Sequence, residues 1–147
     1  MNKPFLFSAL GVFWLSVAAP CAFAADARQK IEMPPMMQEH MLGNMRDHLR
    51  ALQEIEAALA KKDFDKVADI AEQRIGLSSL EAHGAAHMAP YMPKPMQDIG
   101  TAMHRAASRL AQTAQEAAVK GDMAPVQEGL AALLQQCIAC HEAYRLR

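Results

Sequence analysis

The chain has 147 residues, which is the length of roughly one domain and leaves no room for separate cofactor and substrate domains. Its 15 basic and 16 acidic residues give a formal net charge of −1, and this lack of basic excess argues against a nucleic-acid partner. With 52% hydrophobic and 21% charged residues, the composition is typical of a folded protein rather than a disordered one.

The first 24 residues have the three parts of a secretory signal peptide. Lys3 supplies a positive start, residues 5–19 form an apolar run, and Ala22-Phe23-Ala24 is a small-x-small cleavage site. Because a membrane anchor needs about 20 apolar residues, a cleavable signal is favoured over an anchor. We therefore expect residues 25–147 to form one domain that is exported to the periplasm without a membrane span.

Few aromatic residues are left for the core of the exported part. Five of the eight aromatic residues lie in the leader, and the others are Phe64, Tyr91 and Tyr144. A core with so few rings is built from Ala, Leu, Ile and Met, or is filled by a group that is not an amino acid.

Two helices are predicted in the first half of residues 25–147. The first opens at Pro34-Pro35 and runs to Lys61-Lys62, with an apolar stripe at the α-helical period formed by Met41, Met45, Leu49, Leu52, Ile55 and Leu59. Asp63 can cap the second helix. The stripe of that helix is Phe64, Val67, Ala71 and Ile75, with a less regular extension through Leu80 toward Gly84.

A proline-rich loop and two further helices follow. Pro90, Pro93 and Pro95 predict a loop over residues 84–96. The third helix is predicted from about Met96 to Gly121, with the stripe Ile99, Met103, Ala107, Leu110 and Ala114. Asp122 can cap the fourth, whose inner face is Val126, Leu130, Leu133, Cys137, His141 and Tyr144. With no strand pattern and one long connection, the sequence predicts an all-α, antiparallel up-down-up-down four-helix bundle.

The predicted fourth helix carries the segment Cys137-Ile138-Ala139-Cys140-His141, the pattern of covalent c-type haem attachment. Two thiols can add across the two vinyl groups of one porphyrin while the adjacent imidazole ligates the iron. On a helix the positions i, i+3 and i+4 project from one side, so one segment supplies both tethers and a ligand.

Other interpretations of the cysteine pair are less well supported. A redox disulfide of the thioredoxin type needs a strand before the helix, and a structural zinc site needs a second pair of ligands. Neither pattern is found in this sequence. Two buried free thiols without a role are unfavourable in an oxidising compartment.

The segment Cys137-Ile138-Ala139-Cys140-His141-Glu142-Ala143-Tyr144-Arg145 resembles the haem site of the class II c-type cytochromes, cytochrome c prime and the cytochrome c-556 group. In these proteins the haem is attached near the C-terminus of a four-helix bundle. The resemblance implies one covalent haem c on Cys137 and Cys140, with His141 as the proximal iron ligand. Arg145 would lie near the exposed edge of that histidine or a propionate, or else be a solvated cation favoured by the helix dipole.

Antiparallel packing would place residues 38–46 of the first helix level with His141. The same end of the bundle would collect many Met and His residues: Met36, Met37, His40, Met41, Met45, His83, His87, Met88, Met92, Met96 and Met103. The resemblance implies that a first-helix residue faces the distal side of the iron. We expect Met37 or Met41 there, with His40 as the third candidate, although a Met stripe is also typical of a core.

The resemblance also implies an alternative, in which an apolar distal residue leaves the iron five-coordinate and able to bind small gases such as nitric oxide. A second alternative comes from the remaining histidines, because His83 and His87 have the i, i+4 spacing of a chelating pair. His40 and His48 lie eight residues apart, and His104 adjoins Met103. Soft Met neighbours would suit copper(I), although a solvated or haem-edge role also fits these histidines.

The sequence thus predicts an exported single-electron carrier rather than an enzyme. Its expected partners are redox proteins, and the resemblance also implies that a homodimer through the first two helices is one expected assembly.

Overall fold

The computed structural model of the protein describes residues 25–147, and the predicted signal peptide lies outside these residues. The described chain is mainly α-helical, as the sequence predicted. It also contains two short strands, which the sequence did not predict. The elements in chain order are β1 (Gln29–Lys30), α1 (Pro35–Leu59), α2 (Phe64–Arg74), α3 (Ala85–Met88), α4 (Lys94–Lys120), α5 (Ala124–Ala143) and β2 (Tyr144–Arg145). None of the helices in this part of the chain has the length and apolar character needed to cross a membrane.

Helix α1 begins as predicted, with Pro35 in its first turn, where a missing backbone N–H costs no hydrogen bond. One residue of its predicted stripe is wrong: Leu49 is 69% exposed, whereas His48 is buried. Because the buried positions Met41, His48 and Ile55 are each seven residues apart, they share one face of the helix. Spacing therefore decides which residue points inward here, and it outweighs the greater hydrophobicity of leucine.

Helix α2 is capped as predicted, because the Asp63 side chain accepts a hydrogen bond from the backbone N–H of Lys66 at 3.2 Å. At its other end, Arg74 joins α2 to α1. Its guanidinium group lies 2.6 Å from Asp47 and 2.8 Å from Glu54. A planar group with two carboxylate partners fixes the relative position of two helices better than a single ion pair.

The connection between α2 and α4 differs from the sequence prediction. Helix α2 does not extend toward Gly84, and residues 84–96 are not simply a loop. A 3₁₀ turn (Leu77–Ser79) follows α2, then the short helix α3, then a second 3₁₀ turn (Ala89–Tyr91). Gly84 adopts a left-handed conformation with φ of +62° immediately before α3. This conformation favours glycine and separates the residues on its two sides into different helical segments.

The main core lies where α1, α2, α4 and α5 pack on one another. Helix α2 packs against both α1 and α4, and α4 packs against α5. The largest fully buried side chains are Ile55, Val67, Ile75, Leu110, Val126 and Leu133. Alanines fill the space between them, and Phe64 is the one aromatic side chain in this core. The prediction of a core made from Ala, Leu, Ile and Met is confirmed for this region, which includes Met103.

The strands β1 and β2 are the element that sequence analysis missed. They pair in parallel, with Gln29 opposite Tyr144 and Lys30 opposite Arg145. Because α5 ends at Ala143, Tyr144 and Arg145 do not lie on the helix as predicted. Each strand has two residues, which is too short for an alternating pattern to be visible in the sequence.

Candidate functional site

A cavity of about 290 Å³ lies beside Cys137, Cys140 and His141, and its walls are mostly apolar. This volume is at the lower end of the roughly 300–1,000 Å³ typical of small-molecule sites. Its walls come from α1, the segment between α2 and α4, α4 and α5. Helices α1 and α5 both line the cavity, yet they are not among the helix pairs in close backbone contact. The cavity therefore lies where these two helices pack less closely than α4 and α5 do.

Both cysteines on α5 contribute to the cavity wall, and each is a free thiol that is partly buried. Burial raises the pKa of Cys137 and of Cys140, and the neighbouring Cys137 raises the pKa of Cys140 further. The Cys137 thiol also donates a hydrogen bond to the Leu133 carbonyl at 3.8 Å. The pair thus presents two protonated thiols to one apolar space, three residues apart on one helix.

His141 lines the same cavity, although the residue as a whole is exposed. Its backbone carbonyl accepts a hydrogen bond from Arg28 Nη1 at 3.3 Å, which ties the N-terminal segment to the end of α5. Arg145 is not part of the cavity wall. It lies on β2, and its Nε is 3.5 Å from Asp26 Oδ2. The structure thus gives Arg145 an acidic neighbour instead of the helix-end position expected from the sequence.

The methionines predicted to collect near His141 fall into two groups. Met41 and Met45 on α1 line the cavity, together with Met88, Met92, Met96 and Met103. Met41, Asn44 and Met45, which lie in the range 38–46, thus line one cavity with His141. Met37 and His40 instead line a second, smaller pocket. Of the three distal-ligand candidates, the structure places Met41 in one cavity with the cysteines and His141.

Three buried histidines form part of the cavity wall, and sequence analysis did not group them. The ring centroids of His48 and His83 are 4.7 Å apart, those of His83 and His104 are 5.5 Å apart, and those of His48 and His104 are 6.4 Å apart. The signal that could have identified them is position: His48 continues the buried face of α1, and His104 adjoins Met103 on the buried face of α4.

Hydrogen bonds fix the ring protons of two of these histidines. His104 Nδ1 donates to the Ile75 carbonyl at 2.6 Å. The Ser79 hydroxyl donates to the Gly76 carbonyl and therefore accepts from His83 Nδ1, at 3.2 Å. Burial lowers the pKa of His83, and burial together with the two neighbouring imidazoles lowers the pKa of His48 to about 4. His48 and His83 are thus held neutral at neutral pH.

His48 Nε2 is one of two buried side-chain nitrogens without a hydrogen-bond partner in the described chain, the other being Arg145 Nε. A buried polar group normally has a partner, because leaving it unpaired costs about 1–3 kcal/mol. His48 as a residue lines the cavity, whereas its Nε2 atom is itself buried.

The sequence prediction of a chelating His83/His87 pair is wrong. His83 lies in a turn that ends at the left-handed Gly84, whereas His87 lies on α3, so the two residues do not share one helical face. His83 is buried beside His48 and His104, whereas His87 is exposed and lines the second pocket.

The residues around the main cavity fit a covalently attached haem. Two thiols and an imidazole on one helix supply the tethers and a nitrogen ligand, and a buried thioether faces the same space from another helix. The apolar wall suits the face of a macrocycle.

No curated protein and no solved structure is significantly similar to this chain. A family model described as Cytochrome C' matches residues 24–145 and implies a covalently bound haem c. The chain therefore belongs to the cytochrome C' family.

Proposed function

We propose that the protein is a periplasmic cytochrome that transfers single electrons through one haem c, with His141 as the proximal and Met41 as the distal iron ligand. The observation that carries this proposal is the position of Met41. It is buried on α1 and lines one cavity with Cys137, Cys140 and His141 of α5. Its partners are redox proteins, which exchange electrons with the haem at the exposed end of the cavity beside His141.

The bound haem supplies a one-electron iron couple, whose potential depends on the axial ligands and on burial. The protein's residues hold the group and set its surroundings. Cys137 and Cys140 tether it through thioether bonds, which consume the two protonated thiols. His141 supplies a nitrogen ligand close to solvent, and Met41 supplies sulfur from an apolar wall. Because these ligands come from two helices, α1 and α5 are held together through the cofactor.

The proposal includes the finer arrangement of the fold. Consecutive long helices reverse direction after the short connections at residues 60–63 and 121–123, and the haem lies near the C-terminus of an up-down-up-down bundle. Helix α1 then runs opposite to α2, and α4 runs opposite to α5. The support for this arrangement is the brevity of these connections and the packing of α1 on α2 and of α4 on α5.

Two observations favour Met41 over the other distal candidates. Met37 and His40 line the second pocket, whereas Met41 lies in the cavity of the cysteines. Met41 also belongs to a buried cluster with Ile31, Met33, Met88 and Met96, against which Cys140 packs. A ligating side chain that is already held in a packed cluster loses little further conformational entropy when it binds the iron.

The ferric absorption spectra of the wild-type protein, Met41→Leu and Met37→Leu test this assignment. We expect the wild type to be low-spin with a sulfur-to-iron charge-transfer band, and Met41→Leu to lose that band and become high-spin. Met37→Leu is the matched control and keeps the wild-type spectrum. Leucine conserves the volume of methionine, so both variants retain the packing.

A high-spin wild type would overturn methionine ligation and support a five-coordinate iron that binds small gases. Loss of the band in Met37→Leu but not in Met41→Leu would show that the distal residue is assigned wrongly.

A further inference from the structure

A second pocket, of about 210 Å³, lies on α1 near its N-terminus and next to α3. It is lined by Met36, Met37, His40, Gly84 and His87. Since glycine has no side chain, every side chain in this lining is a methionine or a histidine. None of these residues lines the main cavity, so the two sites have separate donor sets.

The imidazole of His40 is held in a defined orientation. A carbonyl oxygen can only accept, so His40 Nε2 carries the proton and donates it to the His83 carbonyl at 2.9 Å. A metal ion would therefore bind at the other nitrogen, Nδ1. A hydrogen bond from one ring nitrogen to a backbone carbonyl is the usual support of a metal-bound histidine, because it fixes both the tautomer and the ring.

Gly84 makes this arrangement sterically possible. A Cβ atom at position 84 would lie 3.1 Å from His40 Nε2, which is tighter than ordinary van der Waals contact. The left-handed backbone of the same residue begins α3, which carries His87 three residues further on. Gly84 therefore affects both histidines. Its missing side chain leaves room for the ring of His40, and its left-handed backbone directly precedes the helix that carries His87.

The donor types select the metal. Thioether sulfur is a soft ligand that favours copper(I), and imidazole suits the same ion. In the described part of the chain, no group of three or more His, Cys, Asp or Glu side chains is arranged to hold a metal ion, which disfavours zinc and other divalent ions. Thioethers and metal-bound imidazoles carry no charge, and the positive end of the α1 dipole opposes a divalent cation more than a monovalent one. We propose that Met36, Met37, His40 and His87 bind one copper(I) ion.

The site is open to exchange with solution. Met36 is 77% exposed, and His40 and His87 are also exposed. A metal could therefore enter and leave without opening the core. This inference does not depend on the ligands of the haem iron.

Copper(I) titration of the reduced, haem-containing protein without oxygen, in competition with bicinchoninate, tests the site. We expect one tightly bound copper(I) per chain, and at least a tenfold weaker affinity in His87→Asn and in the double variant Met36→Leu/Met37→Leu. Met123→Leu, which removes a sulfur near the main core, is the matched control and keeps the wild-type affinity. The thermal unfolding of each variant shows that it is folded.

Equal copper(I) affinity in the wild type, His87→Asn and the double methionine variant would overturn the proposal, and so would equal weakening by Met123→Leu. Zinc(II) that binds as tightly as copper(I) and is lost in the same variants would contradict the choice of metal. The haem absorption spectrum should stay unchanged during the titration. A spectral change together with loss of binding in Met41→Leu would place the copper in the main cavity instead.

Discussion

Around Leu110, helices α4 and α5 close on fully buried side chains, whereas around Cys140 the same two helices line a cavity of about 290 Å³. The closed region is built from Ala, Leu, Ile and Val. The close packing of α4 and α5 is shown by Gly129, where an added Cβ atom would lie 3.3 Å from Leu110 Cδ1. The open region is built from flexible methionines and from three buried histidines.

The difference shows that the chain supplies complete packing in one region and incomplete packing in the other. In the closed region every buried side chain contacts other side chains, as in an ordinary protein interior. In the open region, cysteine, methionine and histidine residues line a common space. The partners that these groups lack are what a covalent haem provides.

The largest effect on stability is expected in the closed region. Leu110→Ala removes a side chain with no exposed surface and leaves a cavity, so we expect a loss of about 2–5 kcal/mol in the free energy of unfolding. Urea unfolding followed by circular dichroism measures it. Leu49→Ala, at a residue that is 69% exposed, should change stability by less than about 0.5 kcal/mol. Similar losses in the two variants would contradict the closed packing around Leu110.

The next effect concerns the histidines of the open region. The pKa of His48 falls from 6.5 to about 4 in the folded protein, chiefly through burial, and that of His83 is lowered as well. The unfolded chain then binds more protons than the folded one between these values. The contribution of the neutral histidines to the free energy of unfolding is therefore complete above about pH 6.5 and is lost as the pH falls toward 4. For His48 this loss is about 3 kcal/mol.

Urea unfolding at several pH values tests this dependence against His48→Gln, which cannot titrate. The other ionisable groups near His48 are His83, His104, Asp47 and Arg74, and they remain in both proteins. We expect a shallower loss of stability between pH 6.5 and 4 in His48→Gln. The same slope in both proteins would show that His48 does not titrate with a lowered pKa.

The smallest effect compares two helical glycines. A Cβ at Gly43 would meet only Arg46 Nη2, at 3.9 Å, and a Cβ at Gly100 would meet nothing within 4 Å. Helix propensity alone predicts that Ala stabilises either position by about 0.5–1 kcal/mol. Gly100, however, lines the cavity, so a haem there would compete with the added methyl group. In the haem-containing protein we expect Gly43→Ala to be stabilising and Gly100→Ala to be less so, and equal gains would contradict an occupied cavity.

Much of the closed region could be predicted from the sequence, because helix formation and burial follow local patterns. The start of α1 at Pro35, the Asp63 cap and the stripes of α2 and α4 all follow from spacing and capping chemistry. The error at Leu49 and His48 arose because hydrophobicity was weighted above the seven-residue spacing. At a cavity wall, a polar residue can occupy a buried position that hydrophobicity would assign to its neighbour.

The open region was harder to predict, since its geometry depends on contacts between distant segments. The thiols and His141 were identifiable from five adjacent residues, and the alignment of Met41 with them followed from helix lengths. The separation of His83 from His87 depends on the left-handed Gly84, and the pairing of β1 with β2 joins the two ends of the described chain. Neither feature has a periodic signal in the sequence.

The intact mass of the purified protein, produced in a host that attaches c-type haem, tests the central claim most directly. The account predicts a mass equal to the mature polypeptide plus one haem, with the added mass on the peptide that contains Cys137 and Cys140. A colourless protein with the mass of the bare polypeptide would contradict it.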